Sequence, residues 1–149
     1  MPRTKPPAVL MTTPDEVEAQ FYEALREGDL DKLMALWSDD DEIVCVHPGG
    51  PRVIGPRAVR AAFEAIFASG RIVAQPEKVH RVQLMDAAMH NVVERIEIGN
   101  PKQGRHVAFV VATNVYHRTT QGWRLVAHHA SPGTDVETPE IAEAPSTLH

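Results

Sequence analysis

The sequence predicts an α+β domain in which helices cover one face of a curved antiparallel sheet. Three observations carry that prediction. Apolar residues recur at helical spacing through the N-terminal half, the period changes to two from Arg71 onward, and turn signals break the second half into successive strands. The resulting order is two helices, a short strand, a third helix and a long meander.

The elements follow in order. Thr13, Pro14 and Glu16 form a Thr-x-x-Glu capping box with proline at the first helical position. Val17, Phe21, Ala24 and Leu25 supply the apolar face of that helix, and Gly28 is placed to end it. Asp29 caps a second, short helix with Leu30, Leu33, Leu36 and Trp37 on one stripe, stopped by Ser38–Asp41. Glu42–His47 is brief and β-branched, hence a strand, and Pro48–Pro51 turns away from it. A third helix runs from Gly55-Pro56 to Gly70 and buries Val59, Ala62, Phe63, Ile66 and Phe67. Strands are expected at 71–75, 78–85, 89–99, 105–118 and 122–130, and Thr119–Gly122 joins the last two as a hairpin.

Composition narrows the function classes. A chain of 149 residues with 43% apolar side chains is one domain with a self-sufficient core. The single cysteine, Cys45, allows no intramolecular disulfide and no Cys-rich zinc centre. A net charge of −5 without a basic stripe argues against nucleic acid as a partner. No apolar run approaches the ~20 residues of a spanning helix, and no signal peptide is evident, so a soluble, cytoplasmic protein is expected. The ends read as tails: Pro2, Pro6 and Pro7 punctuate 1–13, and 132–149 combines Pro132, Pro139 and Pro145 with Asp135, Glu137, Glu140 and Glu143. The folded body is therefore placed at 14–131.

The segment Ala24–Gly50 (ALREGDLDKLMALWSDDDEIVCVHPGG) and the terminal Gly122–Pro132 (GWRLVAHHASP) resemble the SnoaL-like branch of the nuclear transport factor 2-like superfamily. The resemblance covers about 14–131. It implies a cone-shaped fold shared with ketosteroid isomerase and scytalone dehydratase, with an apolar cavity between helices and concave sheet. It also implies that the outer sheet face commonly serves dimerisation. It does not fix the chemistry, because the superfamily holds isomerases, dehydratases, cyclases, epoxide hydrolases and oligomerisation domains.

Strand parity sorts candidate residues. In 89–99, His90, Val92, Glu94, Ile96 and Ile98 share one side, so Glu94 sits among apolar neighbours. Burial there raises its proton affinity, which suits a general acid or base. The competing reading pairs Glu94 with Arg52 or Arg81. The resemblance adds that many relatives carry an acid at the matching place. His47 ends its strand at the cone mouth and reads either as a proton shuttle or as a histidine satisfying a turn. His128 and His129 are adjacent and face opposite ways. His129 shares parity with Trp123, Leu125 and Ala127 and is expected inside, with His128 outside, unless a bulge intervenes. With Arg118 opposite Trp123, Asn114 and Tyr116 fall on the face of His129.

Glu94, His47 and His129 are thus the catalytic candidates, and Trp37, Phe63, Phe67, Asn114 and Tyr116 the ligand-binding ones. His90 is a candidate supporting partner for Glu94. His80, His106 and His117 read as solvated, and His149 lies in the tail. Cys45, flanked by valines, reads as an inert thiol. No Gly-x-Gly-x-x-Gly, Walker loop, Gly-x-Ser-x-Gly elbow or His-Glu-x-x-His occurs, so no nucleotide cofactor and no metal are expected. Two functions stand side by side. One is acid–base chemistry of isomerase, dehydratase or cyclase type on a small apolar molecule. The other is a non-catalytic ligand-binding or dimerisation domain, with Val93, Val107, Val111 and His128 on the outer face forming a homodimer contact.

Overall fold

Thr13 opens the first helix as the local chemistry requires. Its hydroxyl accepts from the Glu16 amide while the Glu16 carboxylate accepts from the Thr13 amide, and Pro14 fills the first turn. In the computed structural model, which describes residues 10–70, 72–100 and 104–138, this helix α1 spans Pro14–Glu27. Gly28, at φ +67°, closes it in the left-handed conformation that a side chain disfavours. Asp29 caps α2 (Leu30–Ala35), and α3 (Pro56–Ala68) starts behind Gly55. Most of the expected N-terminal tail, the Pro101–Gln103 turn and the end of the acidic C-terminal tail, with His149, lie outside the described residues.

Six strands form one sheet: β1 (Val44–Val46), β2 (Arg52–Ile54), β3 (Val73–Gln83), β4 (Ala87–Asn100), β5 (Gly104–Thr119) and β6 (Gly122–Pro132). Their order is β2-β1-β6-β5-β4-β3, antiparallel except for the β1·β6 pair. The α+β architecture, with N-terminal helices on a mostly antiparallel sheet, is the one the sequence predicts. The β5–β6 hairpin closes with Arg118 opposite Trp123, as expected.

One strand expectation is corrected, and one strand is added. The two strands expected at 71–75 and 78–85 merge into the single β3, Val73–Gln83, because Glu77 is a bulge that carries pairing past Pro76 without ending it. Proline is tolerated there because β3 is the sheet edge. Arg52–Ile54, for which no element is expected from the sequence, pairs with β1 as β2. Met11, within the stretch expected to be a tail, runs beside Gly122 and is buried. That approach is close: a Cβ on Gly122 would lie 2.8 Å from the Met11 carbonyl oxygen.

The core lies between the helices and one sheet face. Val17, Phe21 and Leu25 of α1, Leu33 and Trp37, and Val59 and Phe63 of α3 pack onto Val92, Tyr116, Trp123 and Leu125. Each such side chain stabilises the fold by roughly 1.5–3 kcal/mol through the apolar surface it withdraws from water.

Candidate active site: a buried polar file under the first helix

The inner sheet face is not wholly apolar. His90, Asn114 and His128 occupy one row across β4, β5 and β6, and Cys45 of β1 continues it. Glu94 lies four residues along β4 from His90, so both point to the same side. Helix α1 brings two further polar side chains against them, Glu18 and Tyr22, also four apart and so on one helical face. Two polar pairs result: Tyr22 meets Glu94 and Glu18 meets His90.

Glu94 is 5% exposed and accepts a hydrogen bond from the Tyr22 hydroxyl at 2.5 Å. Neither Arg52 nor Arg81 pairs with it, and Arg81 instead binds Asp15. Burial pushes the Glu94 carboxyl up to about 7, and the Tyr22 hydrogen bond opposes that shift only in part. Near neutrality both protonation states of Glu94 are therefore populated, the condition a general acid or base needs.

The hydrogen bonds continue behind Tyr22. Asn114 donates from Nδ2 to the Tyr22 oxygen at 3.2 Å and accepts at Oδ1 from His128 Nδ1 at 2.5 Å. An amide oxygen can only accept, so His128 carries its proton on Nδ1 and leaves Nε2 as an acceptor. Burial, with smaller contributions from His47 and His129, drives the His128 pKa down to about 3 and keeps the ring neutral. Every donor in this file points toward Glu94, an orientation that supports its ionised form.

The structure corrects the histidine assignment. His129 is exposed on the outer face and His128 is buried on the inner one. The cause is a bulge in β6: Leu125 pairs with Tyr116 and Ala127 with Val115, so Val126 has no partner and parity reverses after it. Trp123 and Leu125 face inward before the bulge, His128 and Ala130 after it. Asn114 and Tyr116 consequently share a face with His128 and not with His129. By the same reversal, His128 does not join Val93, Val107 and Val111 outside.

The other candidates are brought together to different degrees. His47 follows β1 and is half-buried, with its ring edge-on to Phe63 at 4.8 Å and 5.8 Å from that of His128. Desolvation lowers its pKa. Its carbonyl also accepts from the Gly50 amide, so it serves the turn as well. Trp37, Phe63, Phe67 and Phe21 form one aromatic group, with Phe63 6.2–6.4 Å from each of the others. Phe21 reaches the polar file through Tyr22 and His128. Cys45 is buried and its thiol is pushed up to about 12, which leaves it unreactive at neutral pH. His90 binds Glu18 at 3.0 Å rather than supporting Glu94.

Sequence reasoning missed Tyr22, because an aromatic on a helical apolar stripe reads as core. The available signal was polar Glu18 and Tyr22 at a four-residue spacing beside that stripe.

Comparison with known proteins places this geometry. The SnoaL-like domain family matches residues 15–135. Comparison with curated proteins finds no match. Among solved structures, a proposed calcium/calmodulin-dependent protein kinase type II association domain from Thiobacillus denitrificans is 37% identical, with a TM-score of 0.77 over 85% of this chain and 99% of its own. A proposed dehydratase of the nuclear transport factor 2-like family from Streptomyces avermitilis is 33% identical, with a TM-score of 0.73 over 80% of this chain and 94% of its own. A ketosteroid isomerase-like protein from Erwinia carotovora atroseptica shares the fold at 18% identity, with a TM-score of 0.66 over 80% of this chain and 93% of its own. The chain belongs to the SnoaL-like family, on the nuclear transport factor 2-like fold.

Proposed function

We propose that the protein is an acid–base enzyme of isomerase, dehydratase or cyclase type acting on a small apolar molecule, with Glu94 as the group that moves the proton. The observation carrying this reading is a nearly fully buried carboxyl that has no cation beside it among the described residues, is pushed up to about 7 by burial and accepts a hydrogen bond from Tyr22. A carboxylate that must only stabilise a fold gains from a cation; one that must exchange a proton at neutral pH gains from its absence. Asn114 and His128 hold the Tyr22 hydroxyl in place, and a fixed donor costs no reorganisation as charge develops. His47 and the aromatic group of Trp37, Phe63 and Phe67 are the proposed contacts for an apolar ligand. The test is a screen for double-bond isomerisation and dehydration of small apolar carbonyl compounds, repeated with Glu94→Gln. Loss of at least ~100-fold in turnover at unchanged folding is expected from general acid–base catalysis. An active wild type matched by an equally active Glu94→Gln would refute the role.

A second reading is favoured by one observation: the 37%-identical relative is named as an association domain. On this reading the chain pairs with a second copy through the outer sheet face, where Val107 is exposed and Val93 and Val111 are half-buried. Sedimentation at micromolar concentration tests it, and a dimer lost on Val107→Glu is the expected result. The two readings are compatible, because they use opposite faces. Among the described residues no helix is long and apolar enough to cross a membrane.

A further inference from the structure

The last residue of the buried file has one nitrogen that the file does not use. His128 gives its Nδ1 proton to Asn114 Oδ1 at 2.5 Å, and that bond leaves Nε2 with a lone pair. Among the described residues no donor reaches Nε2, although His128 is only 4% exposed. We propose that the ligand of this site is a neutral apolar molecule bearing a hydroxyl group, whose O–H donates to His128 Nε2 while its oxygen accepts from the His47 imidazole. This ligand class belongs to the site proposed above and rests on the reading of Glu94 as its proton carrier.

The direction of the file fixes what Nε2 requires. With Glu94 ionised, Tyr22 donates its only proton to that carboxylate, so the Tyr22 oxygen accepts from Asn114 Nδ2. The Asn114 carbonyl is thereby turned toward His128. A tautomer with its proton on Nε2 would set two acceptors, Nδ1 and Oδ1, against each other at 2.5 Å. Nε2 is therefore held as an acceptor and needs a donor. A buried acceptor without one costs free energy, and a site built around it selects for the group that supplies it.

His47 supplies the other half of the contact. Its ring centre lies 5.8 Å from that of His128, and no hydrogen bond joins the two rings. Two hydrogen bonds meeting at one oxygen hold their nitrogens about 4.5 Å apart, a span that rings at this separation accommodate. Desolvation keeps His47 neutral at pH 7.5, and burial does the same for His128. A neutral imidazole carries one N–H in either tautomer, so His47 can donate. His47 is half-buried, and the pair is reached from its side.

The surroundings narrow the class further. A hydroxyl donates and accepts at one atom, whereas a ketone or an ether oxygen only accepts and leaves Nε2 unmet. Phe21 lies against the His128 ring and Phe63 against that of His47, so the rest of the ligand meets apolar surface. Two uncharged imidazoles offer an anion no counter-charge, and ionised Glu94 repels one.

Calorimetric titration of the intact protein at pH 7.5 with phenol, 2-naphthol, their methyl ethers and 2-naphthoate tests the assignment. Each ether keeps the ring and the acceptor oxygen and lacks only the proton. At least one hydroxyl compound is expected to bind saturably, about tenfold or more tighter than its ether and than 2-naphthoate. His128→Phe is expected to abolish that preference and to bind the ether as wild type does, which also reports its folding. Replacing exposed His129 by Gln is expected to leave the preference intact. Nitrogen-15 NMR of wild type needs no variant. The unprotonated His128 Nε2 resonance is expected to move toward the protonated range with the hydroxyl compound and to stay in place with the ether. Hydroxyl recognition is overturned if neither hydroxyl compound binds saturably, if the ethers bind as tightly, or if 2-naphthoate binds more tightly than 2-naphthol. It is overturned equally if His128→Phe keeps the preference or if the Nε2 resonance does not move. The role of Glu94 fails separately: a hydroxyl preference alongside turnover that Glu94→Gln leaves unchanged refutes proton transfer alone. Glu94-dependent turnover with no hydroxyl preference refutes hydroxyl recognition alone.

Discussion

Two buried carboxylates, Glu18 on α1 and Glu94 on β4, lie at one helix–sheet contact and meet opposite environments. Glu18 faces a histidine and an arginine; Glu94 faces a phenol and apolar side chains. Both are nearly withdrawn from water. The difference lies in the compensating charge. A buried carboxylate left with only hydrogen-bond donors is pushed toward its neutral form, as Glu94 is. Four-residue spacing on α1 and β4 therefore sets two electrostatic regimes side by side, one fit for holding charge and the other for exchanging a proton.

The largest expected effect tests the far end of the cation-free file. A histidine whose pKa falls from 6.5 unfolded to about 3 folded contributes stability that is present above 6.5 and lost as pH falls toward 3. That loss amounts to about 4–5 kcal/mol for His128. His128→Phe removes this liability and keeps the volume, at a cost of roughly 1–3 kcal/mol for the orphaned Asn114 oxygen. Its acid-unfolding midpoint, followed by circular dichroism, is expected at lower pH than that of wild type.

Glu94 has the opposite sign. Its folded pKa of about 7 exceeds the ordinary 4.5, so its contribution is fully present below 4.5 and lost as pH rises through 7. The ceiling is about 3 kcal/mol. Glu94→Gln is expected to be more stable than wild type at pH 8 by up to about that amount, and to lose the decline between pH 5 and 7. Urea unfolding at the two pH values reads the difference. Between about 4.5 and 6.5 the slopes from Glu94 and His128 oppose each other, so wild type changes little there. A gain in stability on removing a charged group would mark Glu94 as retained for function at a cost to the fold.

Tyr22→Phe comes next. It deprives Glu94 of its donor and the Asn114 amide of its acceptor, at about 1–3 kcal/mol at pH 8 and less at pH 5. It also raises the Glu94 pKa further, since the lost bond favours the ionised form. The smallest effect belongs to the charged pair. Arg81→Gln removes a half-exposed ion pair with Asp15 and is expected to cost less than about 1 kcal/mol in thermal unfolding at moderate salt. A loss as large as that of Tyr22→Phe would contradict the contrast between the two regimes.

The helices were legible because their signals are local. Thr13 with Glu16, Asp29 and Gly28 state where helices start and stop within a few residues, and the structure places the ends there. Glu94 was legible for a similar reason: strand parity alone puts it among Val92 and Ile96. What failed depended on the partner strand. The bulge at Val126 is a property of β5–β6 pairing, and it moved His129 to solvent and His128 into the core. Pro76 and Glu77 read as a break, because only the edge position of β3 makes a proline there harmless. Strand β2 is too short, between Pro51 and Gly55, to show a period. Tyr22 required the depth of α1 against β4, which no spacing in either segment reveals.

The central claim is that Glu94 exchanges its proton near neutrality from inside the fold. Carbon-13 detection of glutamate side-chain carboxyls across pH 3–9, with Glu94→Gln to assign the resonance, measures it directly. A Glu94 midpoint near 7, rising further in Tyr22→Phe, is the expected result. A midpoint between 4 and 5, unmoved by Tyr22→Phe, would mean that Glu94 is ordinarily ionised, and the proton-transfer role would fall with it.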